Sequence, residues 1–297
     1  MKHVTSKDGT KIAYETTGEG PPLVLVGGAF CDRRARASGT PLAQLLAPHF
    51  TVTSFDRRGR GDSTDTLPWS IEREVEDLAA LIDVVAGPAG RRASIYGISS
   101  GGLLALEALK RELPIASVAT YEAPIVLDAK RRPSTDLADE LAVLSSSGKR
   151  SDAAALFLAR VVGVPPPAIE GMKRAPMWPA LESLAHTLSY DVQLAAGAVD
   201  LLEHLARARS PVFVIDGGAS PPFMREGGAA LAKALPNARH DTLEGQTHDV
   251  DPARARRRAR GAPRDRQLGR FMTRFSCSAT ASSASSSGSR AISGPPA

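Results

Sequence analysis

The sequence predicts an α/β protein: a mostly parallel sheet wound by helices on both faces, with a helical lid inserted after the sixth strand. Three observations predict it. Short apolar runs alternate with helical stretches over residues 1–124 and again over 209–252. Between them, from 125 to 208, the periodicity is helical and no strand intervenes. A Gly97-Ile98-Ser99-Ser100-Gly101 turn joins the apolar run Ala93–Tyr96 to the helical stretch Leu103–Leu109. That setting gives a common G-x-S-x-G pattern its meaning, because a strand-to-helix turn of this kind pushes the serine side chain out above the sheet. The alternative is a Gly/Ser-rich turn with no chemistry.

The elements follow in order. Asp8-Gly9 between Val4-Thr5-Ser6 and Lys11–Tyr14 is a hairpin signal. Leu23-Val24-Leu25-Val26 is apolar at every position, as a central strand covered on both faces requires. It ends in the Gly27-Gly28-Ala29-Phe30 loop. A short helix over Pro41–Ala47 precedes a strand over Phe50–Phe55. Ile71, Val75, Leu78, Leu81, Ile82 and Val85 recur at helical spacing and stop at Gly87-Pro88. Ile115–Tyr121 is the sixth strand and ends at Glu122-Ala123-Pro124. Helical segments are expected at Asp136–Leu144, Asp152–Val162, Leu181–Ala195 and Val199–Ala208, with Pro165-Pro166-Pro167 and Pro176 breaking the run. A strand at Pro211–Ile215, a helix over Phe223–Leu235 and a strand over Ala238–Leu243 complete the core.

Composition narrows the classes. No apolar run approaches the ~20 residues a membrane span needs, and no apolar segment follows Lys2 as in a signal peptide, so a cytoplasmic protein without membrane partners is expected. Cys31 and Cys277 make neither a disulfide framework nor a metal-ligand cluster. Neither a cofactor nor a metal is expected. The net charge of +5 is unevenly placed: residues 253–297 hold ten arginines against one acidic residue, Asp265, so that this segment carries +9 and the first 252 residues −4. The arginines come with no aromatic interleaving and no nucleic-acid motif, so no nucleic-acid partner is expected. The segment 253–297 is basic and Ser/Ala-rich, lacks apolar residues at helical spacing, and is expected to be a disordered tail, either out-of-frame coding sequence or a native electrostatic anchor to an anionic surface.

Four motifs in order, Val24-Leu25-Val26-Gly27-Gly28, Asp56-Arg57-Arg58-Gly59-Arg60-Gly61-Asp62-Ser63, the Gly97–Gly101 turn and Gly245-Gln246-Thr247-His248, resemble the α/β-hydrolase family over roughly residues 1–250. The resemblance implies the α/β-hydrolase fold and a serine nucleophile, Ser99, in a nucleophile elbow. A serine hydroxyl needs a base, and histidine titrates near working pH. The family places its histidine where His248 stands. The family's oxyanion donors correspond to the backbone amides of Ala29 and Ser100, with Phe30 as neighbour. Gly27-Gly28 replaces the family's frequent His-Gly, which backbone amides tolerate. Asp56 and Arg57 belong to a signature turn and are read as structural, with charges serving local hydrogen bonds.

The acid departs from the pattern. Most members carry it after the strand here at Pro211–Ile215, but this chain has Gly217-Gly218-Ala219-Ser220, and a serine holds no charge. Glu122, after the sixth strand, is preferred to Asp216 or to no acid; Tyr121-Glu122-Ala123-Pro124 is similar to the arrangement in a group of haloalkane dehalogenases and in zearalenone lactonases. A serine at position 99 excludes dehalogenation, which needs an aspartate nucleophile. The expected activity is hydrolysis of a small-molecule ester or lactone through an acyl-enzyme, with Phe157, Met172, Met177 and Trp178 as pocket candidates. Two alternatives stay open: a ligand-binding protein on the same fold, and another chemistry of the fold (peptide or C–C bond hydrolysis, or perhydrolysis). Natural substrate and oligomeric state are not readable from the chain.

Overall fold

The computed structural model describes residues 1–87 and 91–250. The expected tail at 253–297 lies outside the described residues. Eight strands form one sheet: β1 (Lys2–Thr5), β2 (Lys11–Thr17), β3 (Pro22–Val26), β4 (Thr51–Phe55), β5 (Ala93–Ile98), β6 (Ile115–Tyr121), β7 (Val212–Gly217) and β8 (Ala238–Leu243). Their order across the sheet is β1-β2-β4-β3-β5-β6-β7-β8. β1 and β2 pair antiparallel, β2 joins β4 antiparallel, and every later pairing is parallel. Between the strands run α1 (Thr40–Leu46), α2 (Ile71–Ala86) and α3 (Ser100–Lys110).

The period of two sorts the core. In β3, Val24 and Val26 point into one apolar cluster, shared with Leu78 and Ile82 of α2 and Leu103 and Leu106 of α3. Leu23 and Leu25 point into the other, with Leu42 and Leu46 of α1 and Phe50. A strand that feeds both clusters has no polar face to spare, which is why its sequence is apolar throughout. α2 starts where Ser70 accepts the Arg73 amide at 3.3 Å, with Glu72 and Glu74 in its first turn.

The chain between β6 and β7 is helical. It contains α4 (Thr135–Ser146), α5 (Arg150–Phe157), a π-helical turn at Leu158–Val162, α6 (Pro166–Lys173), α7 (Trp178–Leu184), α8 (Leu188–Ala196) and α9 (Ala198–His204), with 3-10 turns at Ala185–Thr187 and Leu205–Arg207. α10 (Pro222–Ala234) then joins β7 to β8. The proline run breaks the helical stretch as expected: residues 163–165 separate the π-helical turn from α6, which starts at Pro166, where the first turn needs no amide donors and proline's fixed φ fits. Elsewhere a boundary differs from expectation. The single helix expected over Leu181–Ala195 is divided by the 3-10 turn. The insertion has a core of its own, built from Leu137, Leu141, Phe157, Trp178, Leu188 and their neighbours.

The turn after β4 carries charges that are unusually deep. Arg57, Arg58 and Arg60 are at most 2% exposed. Arg58 is held by both oxygens of Asp77 at 2.7 Å and by Asp8 at 2.9 Å. Arg57 pairs with Glu74 at 2.6 Å and with Asp191 of α8 at 2.8 Å. The hydrogen bonds of this turn therefore reach far beyond it, where local ones were expected. α8 is seated on the same turn by Tyr190, which stacks on Trp69 at 4.7 Å and donates to Asp65 at 2.8 Å. Removing one member of a buried pair leaves the other charge without compensation. Asp77→Ala is expected to lower stability by about 3 kcal/mol, read as a fall in the urea midpoint at unchanged slope.

Candidate active site

The site is assembled at the ends of β3, β5, β6 and β8. Ser99 follows β5 with φ 54° and ψ −130°, a conformation a serine adopts only under constraint. Three things impose it. Its amide donates to Tyr121 O of β6 at 3.0 Å, while its carbonyl accepts from Gly102 at 2.8 Å to start α3. The flanking glycines let the elements close up: a Cβ on Gly97 would sit 2.4 Å from Gly101 O, and one on Gly101 2.3 Å from Val26 O. The backbone of Gly28 lies against the serine, since a Cβ there would be 2.8 Å from Ser99 Cβ.

Glu122 stands one strand away. Ile98 and Tyr121 are ladder partners, so the residues that follow them, Ser99 and Glu122, leave the sheet side by side. Glu122 also has a positive φ, 47°, and is 3% exposed. One carboxylate oxygen accepts the Gly217 amide at 2.8 Å and the other meets His248 Nδ1 at 2.7 Å. Burial pushes this carboxyl up, but the hydrogen bonds from His248 and Gly217, with Ser220 close by, pull it further down, so it lies below the ordinary 4.5. The Ser220 hydroxyl itself is buried and, among the described residues, makes no hydrogen bond of ordinary geometry.

His248 sits on the loop after β8, with its side chain about half exposed. Tyr121 Oη donates to Thr247 O at 2.7 Å and fastens the residue before it. The carboxylate at Nδ1 selects the tautomer with the proton on that nitrogen and the lone pair on Nε2. Nε2 makes no hydrogen bond to Ser99 Oγ among the described residues. Among the described residues the amides of Ala29 and Ser100 donate no backbone hydrogen bond. Their loop is fixed from below: Arg57 donates to Gly27 O at 3.3 Å and Arg60 to Gly28 O at 2.5 Å.

Asp216 is on β7 and turned elsewhere. Its Oδ2 meets His240 Nε2 at 2.6 Å, and it does not reach His248. Of the pocket candidates, Phe157 is buried in the insertion's core and lies edge-on to Phe30, the neighbour of Ala29, at 5.4 Å. Trp178 is packed in the insertion, its Nε1 bonded to Ser151 and Glu182, with Met172 against the same cluster, and Met177 is exposed. Burial pushes the Cys31 thiol up, which reduces its thiolate. Arg60 and Asp191 escaped the sequence reading. The three arginines of the signature turn were the signal for the first; a lone aspartate in a helix gave none for the second.

A family model described as "Alpha/beta hydrolase family" matches residues 23–260. The chain belongs to the alpha/beta hydrolase family. An alpha/beta hydrolase from Sphaerobacter thermophilus DSM 20745 is 47% identical, with a TM-score of 0.76 over 85% of this hydrolase-family chain and 96% of that one. The enol-lactonase of Burkholderia xenovorans LB400 shares the fold at 24% identity, with a TM-score of 0.67 over 92% of this chain and 100% of that one. A proline iminopeptidase of Pestalotiopsis fici is 32% identical over 99 residues, 33% of this chain, and the match spans about a third (35%) of that protein's length. No helix of the described residues is long and apolar enough to cross a membrane.

The Glu122 carboxylate has a measurable signature. Because its folded pKa is depressed, the stability it contributes is complete above its ordinary value and is lost as pH falls through the folded one. The stability difference between wild type and Glu122→Gln is therefore expected to be largest near neutral pH and to shrink as pH falls below the ordinary carboxylate range, as read from urea midpoints.

Proposed function

We propose that this protein is a serine hydrolase that cleaves a carboxylic ester or lactone through an acyl-enzyme on Ser99. The observation that carries the reading is the 2.7 Å contact between His248 Nδ1 and buried Glu122, beside a strained, outward-facing serine. In the reaction, Ser99 Oγ attacks the carbonyl carbon and its proton passes to His248 Nε2. Glu122 stabilises the imidazolium through Nδ1–H. The amides of Ala29 and Ser100 receive the oxyanion, at about 3–4 kcal/mol of transition-state stabilisation per donor. Collapse of the tetrahedral intermediate breaks the C–O bond, and Nε2–H protonates the departing alcohol oxygen. Water, deprotonated by the same nitrogen, then attacks the acyl carbon and releases the acid and the Ser99 hydroxyl. The helical insertion over 125–208 acts as the lid, with Phe30 and Phe157 bordering the acyl pocket.

Ser99 Oγ and His248 Nε2 are not hydrogen-bonded. That favours the alternative, a protein that holds its ligand without turnover, although catalytic contacts are often long until substrate arrives. A fluorophosphonate distinguishes the two. Wild type is expected to gain one phosphonyl mass at Ser99, Ser99→Ala none. Glu122→Gln is expected to label at least about 100-fold more slowly, as loss of the orienting carboxylate costs orders of magnitude in rate. Asp216→Asn is expected to label like wild type. A folded wild type that takes no label overturns the hydrolase reading in favour of ligand binding.

A further inference from the structure

Four buried groups meet beneath the oxyanion loop and serve no step of the reaction above. Asp191 lies on α8, in the insertion, and is 3% exposed. Its Oδ1 accepts from the Ser100 hydroxyl at 2.7 Å and from Arg57 at 2.8 Å. Arg60 grips both oxygens of Asp191, at 2.9 and 2.8 Å. Burial pushes the Asp191 carboxyl up, yet Arg60 and Arg57 hold it below the usual carboxylate range, so it stays ionised. With its remaining terminal nitrogen Arg60 donates to Gly28 O at 2.5 Å.

That last contact has a direction. In a planar trans peptide the C=O and the N–H of one unit point opposite ways. The carbonyl of Gly28 and the amide of Ala29 belong to the same unit. An arginine that holds Gly28 O therefore turns the Ala29 N–H away from itself, while Gly28 packs on Ser99. A cation on the carbonyl also polarises the unit and strengthens its N–H as a donor. Arg57 acts in the same sense, at longer range, on Gly27 O.

We infer that Arg60, oriented by Asp191 from the helical insertion, is a positioning residue that sets and polarises the Ala29 amide as an oxyanion donor. The inference rests on the serine-hydrolase reading. It makes the insertion part of the oxyanion machinery, through a carboxylate 131 positions along the chain from the arginine it holds.

The test uses the full-length protein and two variants. Arg60→Lys keeps the charge near Asp191 but cannot span both partners; Asp191→Asn keeps an acceptor for Ser100 but loosens its hold on Arg60. Loss of a whole oxyanion donor costs on the order of 10²–10³ in rate, so a misdirected one is expected to cost about ten-fold or more. Both variants should show that loss in fluorophosphonate labelling and in kcat for p-nitrophenyl acetate, with KM within about two-fold and the pH profile of kcat unmoved, since His248 and Glu122 are untouched. In the phosphonylated wild type the Ala29 amide proton should be shifted downfield by its bond to the phosphoryl oxygen, and in both variants that shift should shrink. Labelling and kcat within two-fold of wild type in either folded variant overturns the assignment. So does an Ala29 proton that keeps its wild-type position while activity and melting temperature fall together, since that is the mark of structural support alone. Should one variant fail to fold, the other decides. Wild type that takes no label at Ser99 removes the hydrolase reading itself, an outcome separate from wild type that labels alongside an indifferent Arg60→Lys.

Discussion

The bond between Asp191 and the two arginines Arg57 and Arg60 is the constraint on which the site depends. It joins four parts of the chain that no local rule brings together: the turn after β4, the loop after β3, the start of α3 and the insertion helix α8. Two charges of each sign, counting Glu74, are enclosed with little water access. Such a cluster gives back little net stability, because desolvation offsets much of the attraction. Its value is in geometry. A buried charge has few places where it is satisfied, so the elements that carry it have few ways to sit.

Strain is concentrated on the same spot. Among the described residues, four non-glycine residues have positive φ: Phe30, Ser99, Glu112 and Glu122. Three of these stand at strand ends around the site. Each such residue costs about 1–3 kcal/mol and persists only where its surroundings fix it. The surroundings here are specific: the β5–β6 ladder, the glycine contacts of the elbow and the Gly217 amide on Glu122. With Ser99 and Glu122 at the ends of adjacent parallel strands, their separation is set by the sheet, and His248 is delivered by a loop.

Much of this was written in the sequence, and the missing part has a physical reason. The strands β3, β5 and β6 were legible because burial on both faces leaves an unbroken apolar run. The elbow was legible because its glycines answer a packing demand that other residues cannot meet. Glu122 was singled out by position, a carboxylate at the end of the strand next to Ser99 in a chain that has serine at the usual place, and His248 by the loop motif; the structure brings these two side chains together. The role of Asp191 was not legible. A buried aspartate in a helix carries no periodic or spacing signal, and its arginine partners lie more than 130 positions away. The proline run was legible as a break, since proline ends a helix in its interior and begins one at its edge.

The Asp191 cluster has a consequence for temperature. The hydration of charged groups becomes less favourable as water warms, so the cost of keeping them dry falls, while the contribution of apolar burial levels off. The Gly27-Gly28-Ala29-Phe30 loop is thus fastened by the one class of contact that gains on its neighbours when heated. As the periphery loosens on warming, this loop is among the last parts to give.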